Sequence, residues 1–229
     1  MDDWRLTSPE WSAVWLSLKV ALTATAVSLP FGIALGYLLA RRQFWGKNLV
    51  ETFLSLPLVL PPVVTGYFLL VLFGRRGWIG APLDHWFGIQ VVFTWKAAAL
   101  ASAVMAFPLM VRSIHVAFTE VDQRLEMAAR TCGAGRLETF ARISLPLARR
   151  GILAGAVLAF ARSIGEFGAT ILIAGNLPGE TQTIPLYIYT QANAPGGIEQ
   201  SARLAIACVL IAVAVLGISG FLERRRMTT

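Results

Sequence analysis

The sequence predicts an all-α membrane protein that crosses the bilayer five times, and three observations predict it. Charge is scarce: 56% of the 229 residues are apolar and 14% charged, with a mean hydropathy of +0.63, where a soluble domain carries about 25% charged residues. Apolar runs recur at the length a membrane helix needs, about 20 residues. The basic residues are sorted, thirteen of the twenty falling on one side if each run is a crossing, as cytoplasmic loops require. The net charge of +7 would point to nucleic acid in a soluble domain. Gathered into a few short loops it indicates orientation instead, and no nucleic-acid partner is expected.

The expected spans are 20–40, 50–73, 97–118, 151–174 and 204–222, within one transmembrane domain covering 1–229. Trp11 and Trp15 form an amphipathic lead-in to the first. Asp2, Asp3 and Glu10 outweigh Arg5 before it, so the start is not a basic signal-peptide region and the first span is expected to be retained. The cytoplasmic set comprises Arg41, Arg42 and Lys47, the run from Arg112 to Arg150, and the tail Arg224 to Arg226. That places the N-terminus outside and the C-terminus inside, against which Arg75 and Arg76 stand on the outer side. Gly32 with Gly36, and Gly151 with Gly155, have the spacing that lets membrane helices approach closely, a spacing that also arises by chance in glycine-rich spans.

Between the third and fourth spans lies a polar insert, 119–146. Val121, Leu125, Ala128, Ala129 and Cys132 share one helical face. Gly133 and Gly135 break that helix. Leu137, Phe140, Ala141 and Ser144 share a second face, and Pro146 stands where a new helix would begin. Such a helix-turn-helix either presents a docking surface or lies on anionic headgroups.

The order Ala128-Ala129, Gly133, then Ile143-Ser144-Leu145-Pro146 resembles the "EAA…G…I-x-LP" loop of ABC importer permeases, with the same ten-residue spacing from Gly133 to Ile143. The segments LPLVLPPVVTGYFLL (56–70) and FARSIGEFGATILIAGNLPGETQTIPLYIY (160–189) resemble the molybdate branch of that family. The resemblance implies a type I importer permease in the cell inner membrane. Its coupling loop would use Glu126, Ala128, Ala129, Gly133, Ile143, Leu145 and Pro146 to engage an ATPase. One departure stands out: Met127 occupies the family's glutamate position, and Glu126 lies one residue early, about 100° around a helix. Members often carry a further N-terminal span, which is not expected here.

Two features interrupt the spans. Arg162 and Glu166 fall ~18 Å into the fourth, near the midplane, where a charge costs ~2.5–3.5 kcal/mol on insertion scales. They are expected either to line an anion path or to form an ion pair within one helix. In the second span Pro61 and Pro62, with Thr65 and Gly66 after them, make either a bend lining the pathway or a structural kink.

No G-x-x-x-x-G-K-[ST] occurs, so ATP and magnesium are expected on separate cytoplasmic ATPase subunits, two per complex, with no cofactor on this chain. Five spans make a small wall, so a second copy is expected to complete the pathway as a homodimer. An external molybdate-binding protein is expected to land on the outer loop, 175–200. His85, His115, Cys132 and Cys208 lack metal-ligand spacing. The alternatives within the class are a sulfate, thiosulfate or tungstate permease. Outside it stands an ion-coupled carrier, which calls for inverted repeats and midplane carboxylates, of which only Glu166 is present.

Overall fold

The computed structural model describes residues 6–224, excluding the side chains of 198–200, 215, 216 and 218–224. Asp2, Asp3, Arg5, Arg225 and Arg226, used above for orientation, lie outside the described residues, as does the side chain of Arg224. Within that range the chain is helical. The helices are α1 (Ser8–Arg41), α2 (Lys47–Val59), α3 (Pro62–Phe73), α4 (Gly80–Phe87), α5 (Trp95–Thr119), α6 (Gln123–Thr131), α7 (Arg136–Thr139), α8 (Leu145–Ile164), α9 (Gly168–Ala174), α10 (Ile184–Ala192) and α11 (Ile198–Arg224). A π turn, Phe140–Ser144, joins α7 to α8.

Three runs are long and apolar enough to cross a membrane: α1, α5 and the continuous run Arg136–Ile164. The bent pair α2–α3 makes a fourth if it counts as one crossing. The expected span 50–73 is therefore not one straight helix. It bends by 112° at Leu60–Pro61, where each proline withdraws a backbone donor. The expected span 151–174 is likewise interrupted after Ile164, where Gly165 ends α8. The expected fifth span falls on α11, whose described apolar stretch, Ser201–Ala214, is shorter than a bilayer crossing. The first helix starts earlier than expected, at Ser8. There the Glu10 carboxylate accepts the Thr7 N–H at 2.6 Å and its hydroxyl at 2.9 Å, closing the first turn.

The helix start expected at Pro146 is met by α8, which begins at Leu145 with Pro146 in its first turn. That helix continues the run from Arg136, and the π turn explains how. The Leu145 N–H reaches back five residues to the Phe140 carbonyl, which widens the turn ahead of the proline ring.

The helix α5 is the central post. Ala97, Ala101 and Met105 pack with Leu16 and Val20 of α1, Leu69 of α3 and Ile173 of α9. Lower down, Met110, Ile114 and Phe118 pack with Ala148 and Ile152 of α8. Both glycine pairs sit on this post. A Cβ on Gly36 would lie 2.7 Å from Ile114 Cγ2, and one on Gly32 2.8 Å from Met110 Sδ. One on Gly151 would overlap the Ala117 methyl, and one on Gly155 would stand 3.1 Å from the Met110 carbonyl. These glycines thus set the α1–α5 and α5–α8 approach, the use small residues have in membranes.

Candidate functional site

The polar insert forms α6 as read from its periodicity, whereas its second helix, α7, is a single turn that runs on through the π turn into α8. Asp122 caps α6 by accepting the Arg124 N–H at 2.9 Å. The far end closes on glycine: the Gly133 N–H donates to the Arg130 carbonyl at 3.0 Å and the Ala134 N–H to the Ala129 carbonyl at 3.0 Å. That pair of bonds is a Schellman stop, whose turning residue must take a left-handed conformation; Gly133 has φ +92. Ala128 and Gly133 are exposed, Ala129 half-buried, and Met127 is 58% exposed. Ile143 and Leu145 are half-buried in the π turn and the start of α8, and Pro146 is exposed.

Glu126 faces the other way. It is the one buried residue of α6. Its Oε1 accepts from Arg41 Nε at 2.9 Å and from the Ser144 hydroxyl at 2.8 Å, and Arg41 Nη2 stands 2.9 Å from the same oxygen. Arg41 Nη2 also donates to the Val121 carbonyl at 2.9 Å. The one-residue offset from the family's glutamate position thus turns this carboxylate into the protein, while Met127 takes the surface. Sequence reasoning counted Arg41 only for orientation and did not single out Ser144 as a partner, because nothing local pairs residues 85 or 18 positions apart.

The second constellation joins two chain breaks. Gly66 of α3 is pressed on α9: an added Cβ would lie 2.7 Å from the Ala169 carbonyl oxygen and 2.8 Å from its Cα. Gly168 meets Pro62 in the same way, at 2.8 Å. The bend at Pro61–Pro62 and the break at Gly165–Phe167 therefore face each other. Thr65 is buried with its hydroxyl unpaired among the described residues.

Arg162 and Glu166 do form an ion pair, Nη1 to Oε2 at 2.7 Å, with the Glu166 side chain 2% exposed. The expectation of a pair inside one helix needs correction, since Glu166 lies beyond the end of α8. Its Oε1 accepts the Ala169 N–H at 2.9 Å, so the carboxylate bridges the end of α8 and the first turn of α9.

The outer segment is less open than expected. Thr181, Gln182, Thr183, Ile184, Leu186 and Tyr187 are buried, and the Ile184 N–H donates to Ser17 of α1 at 2.8 Å. Residues 177–180 and 189–190 remain exposed, while the side chain of Glu199 lies outside the described residues. Among the described residues no group of His, Cys, Asp or Glu could hold a metal ion.

A helical membrane wall broken opposite a buried ion pair, carrying a polar helical elbow at one end, has the parts of a transport permease. Residues 30–227 match the family described as binding-protein-dependent transport system inner membrane component, and the chain belongs to that family. It is 57% identical over 219 residues to the molybdenum transport system permease protein ModB of Escherichia coli (strain K12), covering 96% of both chains. It is 35% identical to the sulfate transport system permease protein CysW of a Synechocystis species, over 93% of this chain and 77% of that one. Its fold matches a bacterial alginate ABC transporter solved with a pentasaccharide-bound periplasmic protein, at TM-score 0.69 and 17% identity, over 97% of this chain and 81% of that one. The chain is an inner-membrane permease component, and membership implies an ATPase and a binding protein as partners.

Proposed function

We propose that this chain is the permease subunit of an ATP-driven molybdate importer. The observation that carries the substrate is the near-full-length identity of 57% to a molybdenum permease, against 35% to a sulfate permease. The test is uptake of labelled molybdate by the reconstituted complex with its ATPase and binding protein. Uptake that persists under excess sulfate is expected; full competition by sulfate would make it a sulfate permease. Uptake without any ATPase would make it an ion-coupled carrier.

The chain acts as one transmembrane domain, 1–229, crossing five times with the N-terminus outside. The meeting of the α1 end, the α5 end and the α8 start beside α6 supports this, since it gathers the basic loops on one side. A second copy completes the pathway. Supporting this, α2 buries no residue of its own and leaves Phe53 and Val59 exposed at 69% and 80%. The facing breaks, with Pro61, Pro62, Thr65, Gly66, Arg162 and Glu166, line or gate the path. Broken backbone at membrane depth is tolerated where it is buried in protein or borders a cavity. Two ATPase subunits, holding ATP and magnesium, engage the exposed side of α6 through Ala128, Ala129 and the Gly133 turn. The binding protein lands on residues 177–180 and 189–190.

Substituting Gly133→Val places a β-branched residue at φ +92, in a conformation that costs an L-residue ~1–2 kcal/mol. Nothing lies within 4 Å of the site, so only the turn suffers. Molybdate imported per ATP hydrolysed is expected to fall severalfold while the protein still inserts. An unchanged ratio would argue that α6 does not dock.

A further inference from the structure

We propose that Glu126 is a positioning residue: with Arg41 and Ser144 it forms an internal strut that carries movement of α6 into α1 and α8. This rests on the reading of α6 as the ATPase-docking helix, and it assigns Glu126 a role opposite to a docking residue.

The burial pattern of α6 is inverted for a surface helix. Leu125 and Met127 are exposed at 48% and 58%, whereas the carboxylate between them is 5% exposed. A buried carboxylate must be paired and hydrogen-bonded, and this one is: Oε1 accepts from the donors Arg41 Nε and Ser144 Oγ, and the Arg41 guanidinium neutralises it. Those donors come from two different elements. Arg41 is the last residue of α1, and Ser144 is the last residue of the π turn that leads into α8. The second Arg41 bond, to the Val121 carbonyl, holds the linker from α5. One carboxylate oxygen therefore ties α6 to the cytoplasmic ends of two spanning helices.

Among the described residues no backbone hydrogen bond joins α6 to α1. A cleft of about 820 Å³ opens between the end of α1 and α6–α7, bordered by Leu38, Arg41, Glu126, Met127 and Leu137. The Arg41–Glu126 ion pair spans that cleft. Next to the strut Tyr37 of α1 meets Phe118 of α5 and Phe140 of the π turn edge-on, with centroids 5.1 and 4.8 Å away. A π turn is a register defect that can pass to α by sliding one residue, and such turns gather at functional sites. Pulling on Ser144 through Glu126 acts on the last residue of that turn. Movement of α6 thus reaches α8, and the Arg162–Glu166 pair at its far end, through the hydrogen bond from the Ser144 hydroxyl to the Glu126 carboxylate, beside the Tyr37–Phe140 ring contact.

The experiment uses the complete transporter in proteoliposomes with molybdate. It compares wild type with Glu126→Gln, Glu126→Asp and Ser144→Ala for ATPase retained on purification and for molybdate imported per ATP. Glu126→Gln is expected to retain the ATPase at the wild-type ratio but import about tenfold less molybdate per ATP, the factor carried by one charge-assisted hydrogen bond. Glu126→Asp is expected to restore most of the ratio. Ser144→Ala, which removes one hydroxyl, is expected to lower the ratio about threefold, and it decides the matter if Glu126→Gln fails to assemble. Loss of the ATPase from Glu126→Gln but not from Ser144→Ala would make Glu126 a docking residue and overturn the strut while leaving the permease reading intact. Wild-type coupling in both variants would also overturn it. Failure of the wild-type chain to retain any ATPase would sink the permease reading, and the strut with it.

Discussion

Glu166→Lys is expected to leave almost no assembled transporter in the membrane. The native carboxylate is 2% exposed and stands 2.7 Å from Arg162. Removing one partner of a fully buried pair costs about 3–5 kcal/mol. Arg162 is 31% exposed, so solvent screens part of that cost, but it remains a sizeable share of the ~5–15 kcal/mol that holds a typical domain together. A lysine adds a second cation to the same site and cannot accept the Ala169 N–H that Oε1 now accepts. The start of α9 loses its cap as the end of α8 is repelled from it. Glu166→Gln provides the contrast, because its amide oxygen can still cap Ala169 and only the charge is lost. The check is the yield of permease recovered with its ATPase after detergent extraction. Ordinary recovery of Glu166→Lys would show that the pair does not hold α8 and α9 together.

Gly66→Leu is expected to abolish uptake and to lower the melting temperature of the purified complex. The atoms its side chain would meet are the carbonyl oxygen and Cα of Ala169, at 2.7 and 2.8 Å. Backbone cannot swing aside as a flexible side-chain tip can, so α3 and α9 must part. Overpacking of this kind costs about 1–3 kcal/mol in a well-packed core. Even Gly66→Ala is expected to lower the melting point, since the conflict begins at Cβ. Gly175 has no such neighbour, only the Phe93 ring at 3.3 Å, and its constraint is the backbone conformation at φ +73. Melting and uptake matching wild type in Gly66→Leu would show that the α3–α9 contact has slack.

What the sequence made legible follows from the range of each signal. The α6 helix, its glycine stop and the run 97–118 are local patterns, and they stand in the structure within a few residues. Proline marked the bend at 61–62 but not its size, since a kink angle depends on what the next helix packs against. The break after Ile164 was missed because hydropathy continues through it, and nothing local tells that Gly168 packs against Pro62. The burial of 181–184 was also missed, because a polar Thr-Gln-Thr run looks like loop, and the tie just after it, from the Ile184 N–H to Ser17 of α1, is far away in sequence. The inward turn of Glu126 was half visible: the one-residue offset from Met127 signalled a different face, but only the fold showed that Arg41 waits there.

The glycines around α5 have a consequence for how the protein can move. Met110 and Ile114 are clasped from one side by Gly32 and Gly36 and from the other by Gly155, at distances that admit no extra methyl group without displacement. Teeth meshed so closely resist a large axial slip of α1 or α8 against that axle. Inward-to-outward exchange is then expected to tip the three rods largely together, with the breaks beside α3 and α9 as the joints.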